Sequence, residues 1–170
     1  MHTFSYLFSE LIQYCQARVS NIGELERRLD TVGFGVGIRL VELLVYRERN
    51  SRRDIRILDA LRFVHSTLWR YLFGRTARDL EQSNNAEDEY MISDADLFVT
   101  RYVSVPRELG QLNCAAFVAG IIRGSLTGSG FSARVTAHNV AIPDQDQTKT
   151  TFLIKFDPEV LERERQLPAA

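Results

Sequence analysis

Cysteine is scarce in this chain. Cys15 and Cys114 are the two among 170 residues, too few for a disulfide framework. A reducing, cytosolic setting is the expectation. A charge excess is lacking too. Lysine and arginine number 21 against 22 aspartates and glutamates, a net charge of −1, so the whole chain is no polyanion binder and no nucleic-acid partner is expected. No apolar run approaches the ~20 residues that span a bilayer. Met1 to Leu11 has neither the basic start nor the continuous apolar run of a signal peptide. Two cysteines and three histidines show no metal-ligand spacing. Gly33, Gly35 and Gly37 follow no strand and form neither GxGxxG nor GxxxxGK followed by Ser or Thr, so no phosphate loop is expected. No cofactor motif is present. There is no repeat and no linker.

What is present is a set of apolar helical stripes. Asp54 to Gly74 reads as one helix, with Asp54 as N-cap and Gly74 just past the end. At about 100° per residue, Ile57, Ala60, Leu61, Val64, Leu68, Tyr71 and Leu72 share a face. Leu58 and Trp69 widen it to about half the circumference. Arg56, Asp59, Arg62, Ser66 and Arg70 lie opposite. So wide a face needs several neighbours, which makes this helix the expected spine of the core.

Phe4 to Val19 is a second amphipathic helix, with Phe4, Leu7, Phe8, Leu11, Ile12, Cys15 and Val19 in one stripe. That stripe can pack on its own domain or, in part, on another chain. Ile22 to Arg47 reads as a longer helix of ~26 residues, roughly 39 Å. Its first half is one-sided, with Leu25 and Leu29 on the stripe; its second half is apolar on two faces. Burial is therefore expected to deepen toward Arg47, and the first half to project onto a partner. Gly33 and Gly37 share a flank, where missing side chains let another backbone approach; each costs about 1 kcal/mol of helix propensity. Arg47 to Arg53 is a charged connection. Arg49, Arg52 and Arg53 there either face solvent or touch an anionic membrane, at about 1 kcal/mol per basic residue.

Arg75 to Asp88 reads as a polar, acid-rich connection. Tyr90 to Ile92 and Leu97 to Val105 read as short β-type runs. Leu112 to Leu126 reads as a buried helix with Asn113 near its start. Phe131 to Ala137 and Thr150 to Phe156 alternate, and read as an antiparallel pair. Asp157 and Pro158 open a short terminal helix. The expected fold class is α+β: amphipathic and buried helices on one face of a small antiparallel sheet, in a single domain over 1–170, with a core of about 4–157 and a C-terminal helix over 158–166.

Chemistry is thin. Cys114, in the apolar run Cys114-Ala115-Ala116-Phe117-Val118, is a buried small hydrophobe rather than a nucleophile. His65 falls on the apolar side of the spine helix and His138 at a strand end. No carboxylate pair stands out as acid and base, so no catalytic residue is named.

Several segments taken together carry a resemblance. They are Gly37-Ile38-Arg39-Leu40-Val41-Glu42-Leu43-Leu44, Trp69-Arg70-Tyr71-Leu72-Phe73-Gly74-Arg75, Ala77-Arg78-Asp79-Leu80-Glu81-Gln82, Leu112-Asn113-Cys114-Ala115-Ala116-Phe117-Val118-Ala119-Gly120-Ile121 and Ala133-Arg134-Val135-Thr136-Ala137-His138. In order and spacing the chain resembles the small-subunit family of the transport protein particle (TRAPP), a vesicle-tethering complex. The resemblance implies helices packed on one antiparallel sheet and a non-enzymatic subunit acting between endoplasmic reticulum and Golgi. It implies a cytoplasmic protein, peripheral at cis-Golgi and endoplasmic reticulum membranes, in a complex that exchanges guanine nucleotide on a Rab GTPase. The partners implied are paralogous small subunits, paired through N-terminal helices, and the other TRAPP subunits. The expected partner face is Phe4, Leu7, Phe8, Leu11, Leu25 and Leu29. A paralogous subunit carries a lipid-modified cysteine at the start of the spine helix. The matching position here is Arg53, beside Arg52, so no buried acyl chain is expected. A competing reading is a lipid or small-molecule binding module, with an apolar pocket between the spine helix and Leu112 to Leu126.

Overall fold

A computed structural model describes residues 2–48, 55–83, 86, 88–95, 97, 99, 112–141 and 148–168. Helix α1 covers His2–Gln16 and α2 covers Ile22–Glu48. Between them the chain turns sharply. Asn21 Oδ1 accepts the Glu24 N–H at 2.9 Å, and Glu24 Oε2 accepts the Ser20 N–H at 3.1 Å. This reciprocal pairing satisfies donors that the start of α2 would otherwise leave bare. The Ser20 hydrogen bonds hold the Glu24 carboxyl below its usual range.

The spine helix is confirmed from Ile57 onward, in three joined parts. They are α3 (Ile57–Arg62), a π-helical segment (Phe63–Leu68) and α4 (Trp69–Phe73). Asp54, expected as the cap, lies outside the described residues. The π-helical segment interrupts what the sequence reads as one continuous α-helix. Trp69 is fully buried while Leu58 and Tyr71 are exposed. The His65 side chain is half-buried rather than a core histidine, and its carbonyl accepts the Ala77 N–H at 3.0 Å. Gly74 ends the helix at φ 76°, its N–H donating to Arg70 O at 2.9 Å.

Strand β1 (Asp79–Gln82) follows, where the sequence reads as a connection. It is a short, polar edge strand, and lacks the apolar alternation that betrays a half-buried one. Strand β2 is Glu89–Asp94. Most of the run Leu97 to Val105 lies outside the described residues; Val99 has helical rather than extended backbone, and both it and Leu97 are buried. Helix α5 is Ala116–Gly128, starting later than expected because Asn113 is engaged before it. Asn113 Oδ1 accepts the Ala115 N–H at 3.1 Å, and its backbone N–H donates to Glu26 at 2.8 Å. Strands β3 (Ala133–Ala141) and β4 (Thr148–Phe156) form the expected antiparallel pair, and α6 covers Pro158–Gln166. The sheet order is β1-β2-β4-β3, antiparallel throughout.

Two contacts organise the core. The first is helix on sheet. Trp69 meets Phe152 edge-on at 5.6 Å between ring centroids, and its Nε1 donates to the buried Asp94 at 2.7 Å. The second is helix on helix. A Cβ at Gly33 would strike the Phe117 carbonyl, and one at Gly37 the Ile121 carbonyl. Reciprocally, a Cβ at Gly120 would strike Asp30 O and one at Gly124 Phe34 O. Two glycine pairs, each spaced by four, let α2 and α5 run parallel in backbone contact.

The polarity expected of α2 is reversed. Its first half is the covered one, and its last turns carry exposed Val45 and Tyr46. The cause is the reach of α5. Its terminal Gly128 lies opposite Ile38, so the rest of α2 runs past its end.

Candidate functional site

The partner face expected from the sequence is divided by the structure. Phe8, Leu25 and Leu29 are 2%, 1% and 0% exposed and belong to the chain's own core. They are corrected from partner face to core. Helix α1 folds back over the start of α2, and Phe8 reaches across to Phe117 on α5 at 5.3 Å. Phe4 and Leu11 are half-buried, packed on the margin of that core, and Phe4 stacks on Phe8 at 5.6 Å.

Leu7 is exposed, and it has company. Tyr6, Leu7 and Tyr14 are 74%, 70% and 57% exposed. Leu7 and Tyr14 are seven apart and so lie on one face of α1, with Leu11 between them. Tyr14 is stiffened by Arg18, whose guanidinium sits 3.7 Å from the ring centroid and donates to the Tyr14 carbonyl at 3.0 Å. Helix α1 thus carries two stripes: Phe8, Ile12 and Cys15 face inward, and Leu7, Leu11 and Tyr14 form an outer ridge. Sequence reasoning merged them into one broad stripe and left Tyr6 and Tyr14 out. The seven-residue spacing of Leu7 and Tyr14 was the available signal.

A second exposed group closes the far end of α2. Tyr46 is 82% exposed. Next to it Arg47 donates to Tyr71 Oη at 2.9 Å, tying α2 to α4. Arg49, Arg52 and Arg53 lie outside the described residues.

A cleft of about 400 Å³ opens between α2, α5 and β3, away from the apolar pocket expected beside the spine helix. Charged Glu26, Arg27, Asp30, Arg123 and Arg134 stand in its walls beside apolar Ala116, Ala119 and Val135. Arg123 pairs with Asp30 at 2.6 Å and lies over the Phe34 ring at 4.3 Å.

Among the described residues no nucleophile is seen paired with a base. Cys114 is buried, and desolvation, aided by the charge of Glu26, pushes its thiol up to about 11. At neutral pH it is a protonated core residue. Among the described residues no cluster of His, Cys, Asp or Glu could hold a metal ion, and no helix is long and apolar enough to cross a membrane.

Comparison with known proteins gives a consistent result. A family profile, "Transport protein particle (TRAPP) component", matches residues 4–157. The chain is 53% identical over 161 residues to trafficking protein particle complex subunit 5 of Dictyostelium discoideum, covering 95% of this chain and 87% of that protein. It is 43% identical over 167 residues to the Homo sapiens protein of the same name, covering 98% and 85%. Against subunit 31 of Saccharomyces cerevisiae the identity is 30%, covering 96% and 78%. Among solved structures, trafficking protein particle complex subunit 3 of Naegleria fowleri, described as covalently bound to palmitic acid, shares the fold. Its TM-score is 0.72 at 17% identity, covering 91% of this chain and 93% of that one.

Proposed function

The chain belongs to the transport protein particle (TRAPP) component family, and we propose that its outer α1 ridge joins it to a paralogous small subunit. Membership makes it a component of a vesicle-trafficking complex. In the proposed role it is a non-enzymatic structural subunit acting between endoplasmic reticulum and Golgi. It holds other subunits in the arrangement that exchanges nucleotide on a Rab GTPase, on the cytoplasmic side of those membranes.

The observation that carries this reading is the ridge itself. Tyr6, Leu7 and Tyr14 place large apolar side chains in water on a helix whose opposite stripe is already buried. Fully burying a leucine-sized side chain contributes about 1.5–3 kcal/mol, so a partner helix gains by covering them. A stable interface of about 1,600 Å² needs more than these three residues, with Phe4 and Leu11 completing the contact at the core margin.

The test is co-purification of the paralogous subunit with a Leu7→Asp, Tyr14→Asp double variant. Both positions are exposed, so the variant keeps its fold, checked by circular dichroism. Loss of the partner with the fold retained is the expected result. A folded double variant that still assembles refutes the assignment. In exchange assays the isolated chain releases no nucleotide from the Rab, and the reconstituted complex does.

A further inference from the structure

Strand β3 lies at one edge of the described sheet, with β1 at the other. Beside its start, Asp157 N donates to Ser132 O at 3.0 Å across to the β4 side. In an antiparallel ladder the bonded pairs alternate, so even-numbered residues of β3 spend their backbone groups on β4. Odd-numbered residues, Val135, Ala137 and Asn139 among them, turn theirs outward. One outward group is already in use: Asn113 Nδ2 donates to the Ala137 carbonyl at 2.9 Å. No described strand pairs with Val135 or Asn139 on that side.

The cleft runs along this edge. Its carboxylates are occupied from within. Asp30 holds Arg123 at 2.6 Å, and Glu26 takes the Asn113 N–H at 2.8 Å. Its remaining arginines form no ion pair among the described residues, although the charge of Arg27 helps to hold the Glu24 carboxyl down. Arg27 makes one long bond, Nε to Gly23 O at 3.3 Å, and Arg134 forms no ion pair among the described residues. The cleft therefore combines strand hydrogen-bonding groups that no described strand takes up with two guanidinium groups in no ion pair among the described residues.

We propose that the β3 edge and its cleft form a docking strand for an extended, acidic peptide segment of a partner protein. The incoming segment adds a strand beside β3, taking up the backbone groups of Val135 and Asn139 and displacing or flanking Asn113. Its side chains alternate between the two faces of the extended sheet. Carboxylates on the outer face reach Arg134, and one on the inner face reaches Arg27. A nucleic-acid backbone suits the cleft less well, because its phosphates would meet the outward carbonyls and the carboxylates of Glu26 and Asp30.

The experiment is fluorescence anisotropy on the full chain purified with its partner subunit, using a short labelled peptide that alternates glutamate with threonine. The expected result is saturable binding that weakens with salt. Arg134→Glu and Arg27→Glu each weaken it about fivefold to tenfold. A peptide N-methylated at every second amide, in one of the two registers, no longer binds to the unmodified protein. That arm needs no variant to fold. Absence of saturable binding overturns the proposal. So does binding indifferent to both N-methylation and charge reversal, or a preference for single-stranded RNA or anionic vesicles over the peptide.

Discussion

Gly37→Ala puts the α2–α5 contact to a direct test. In an ordinary helix interior the change gains about 1 kcal/mol, because alanine is the better helix former. Here the new methyl group would meet the Ile121 carbonyl and, at 2.9 Å, the Ser125 nitrogen. Both are backbone atoms of α5, so no rotamer change relieves the clash and the helices must move apart. Overpacking of this sort costs about 1–3 kcal/mol, and a rigid neighbour places it at the upper end. The net loss is about 2 kcal/mol, or about 4–8 °C in melting temperature for a chain of this length. Gly35→Ala, in the same helix, is the internal control. Its Cβ would meet only the flexible tip of Arg39, at 3.5 Å, so the propensity gain should appear as a small stabilisation. Urea denaturation of the two variants reads the difference. If Gly37→Ala is as stable as the parent, or tracks Gly35→Ala, the close-contact argument is wrong.

Four further outcomes follow from the geometry. Asp94→Ala removes the acceptor of the buried Trp69 N–H and the ion-pair partner of Arg75; it should cost about 2–3 kcal/mol, read by the fluorescence of the single tryptophan during unfolding. Asn21→Ala should cost about 1 kcal/mol by uncapping α2, seen as a lower urea midpoint. The lowered pKa of Glu24 makes its contribution present above the unfolded value of 4.5, and lost as pH falls through the folded one, so Glu24→Gln should flatten the acid limb of the stability curve. Cys114, raised from 9.0 to about 11, binds its proton more tightly folded than unfolded. Stability should therefore fall as pH rises between those values, and alkylation at pH 8 should be slow until the chain is unfolded; fast labelling of native protein would contradict this.

Helical and strand periodicity made most elements legible. Phe131, Ala133 and Val135 alternate inward as read, and the apolar spine runs from Ile57 to Phe73. Gly33 and Gly37 announced a close backbone approach, though not that Gly120 and Gly124 would answer them. Strand β1 stayed hidden because Asp79, Glu81 and Gln82 show no apolar alternation; only pairing with β2 makes them a strand. The candidate partner face was half legible. A helical wheel shows which residues share a side of α1, but not which of two adjacent stripes its own chain covers. Phe8 and Leu7 are neighbours in sequence, and one is core while the other is solvent-facing.

Family membership and most of the helices and strands were legible in the amino-acid sequence alone. These depend on residue identity and local periodicity, which no neighbour is needed to define. The packing of elements set how far α5 reaches along α2, hence which half of that helix is covered, and left the outer edge of β3, beside Arg27 and Arg134, with no described strand against it. Burial and edge exposure belong to pairs of elements, and the length of one element is silent about where its neighbour stops.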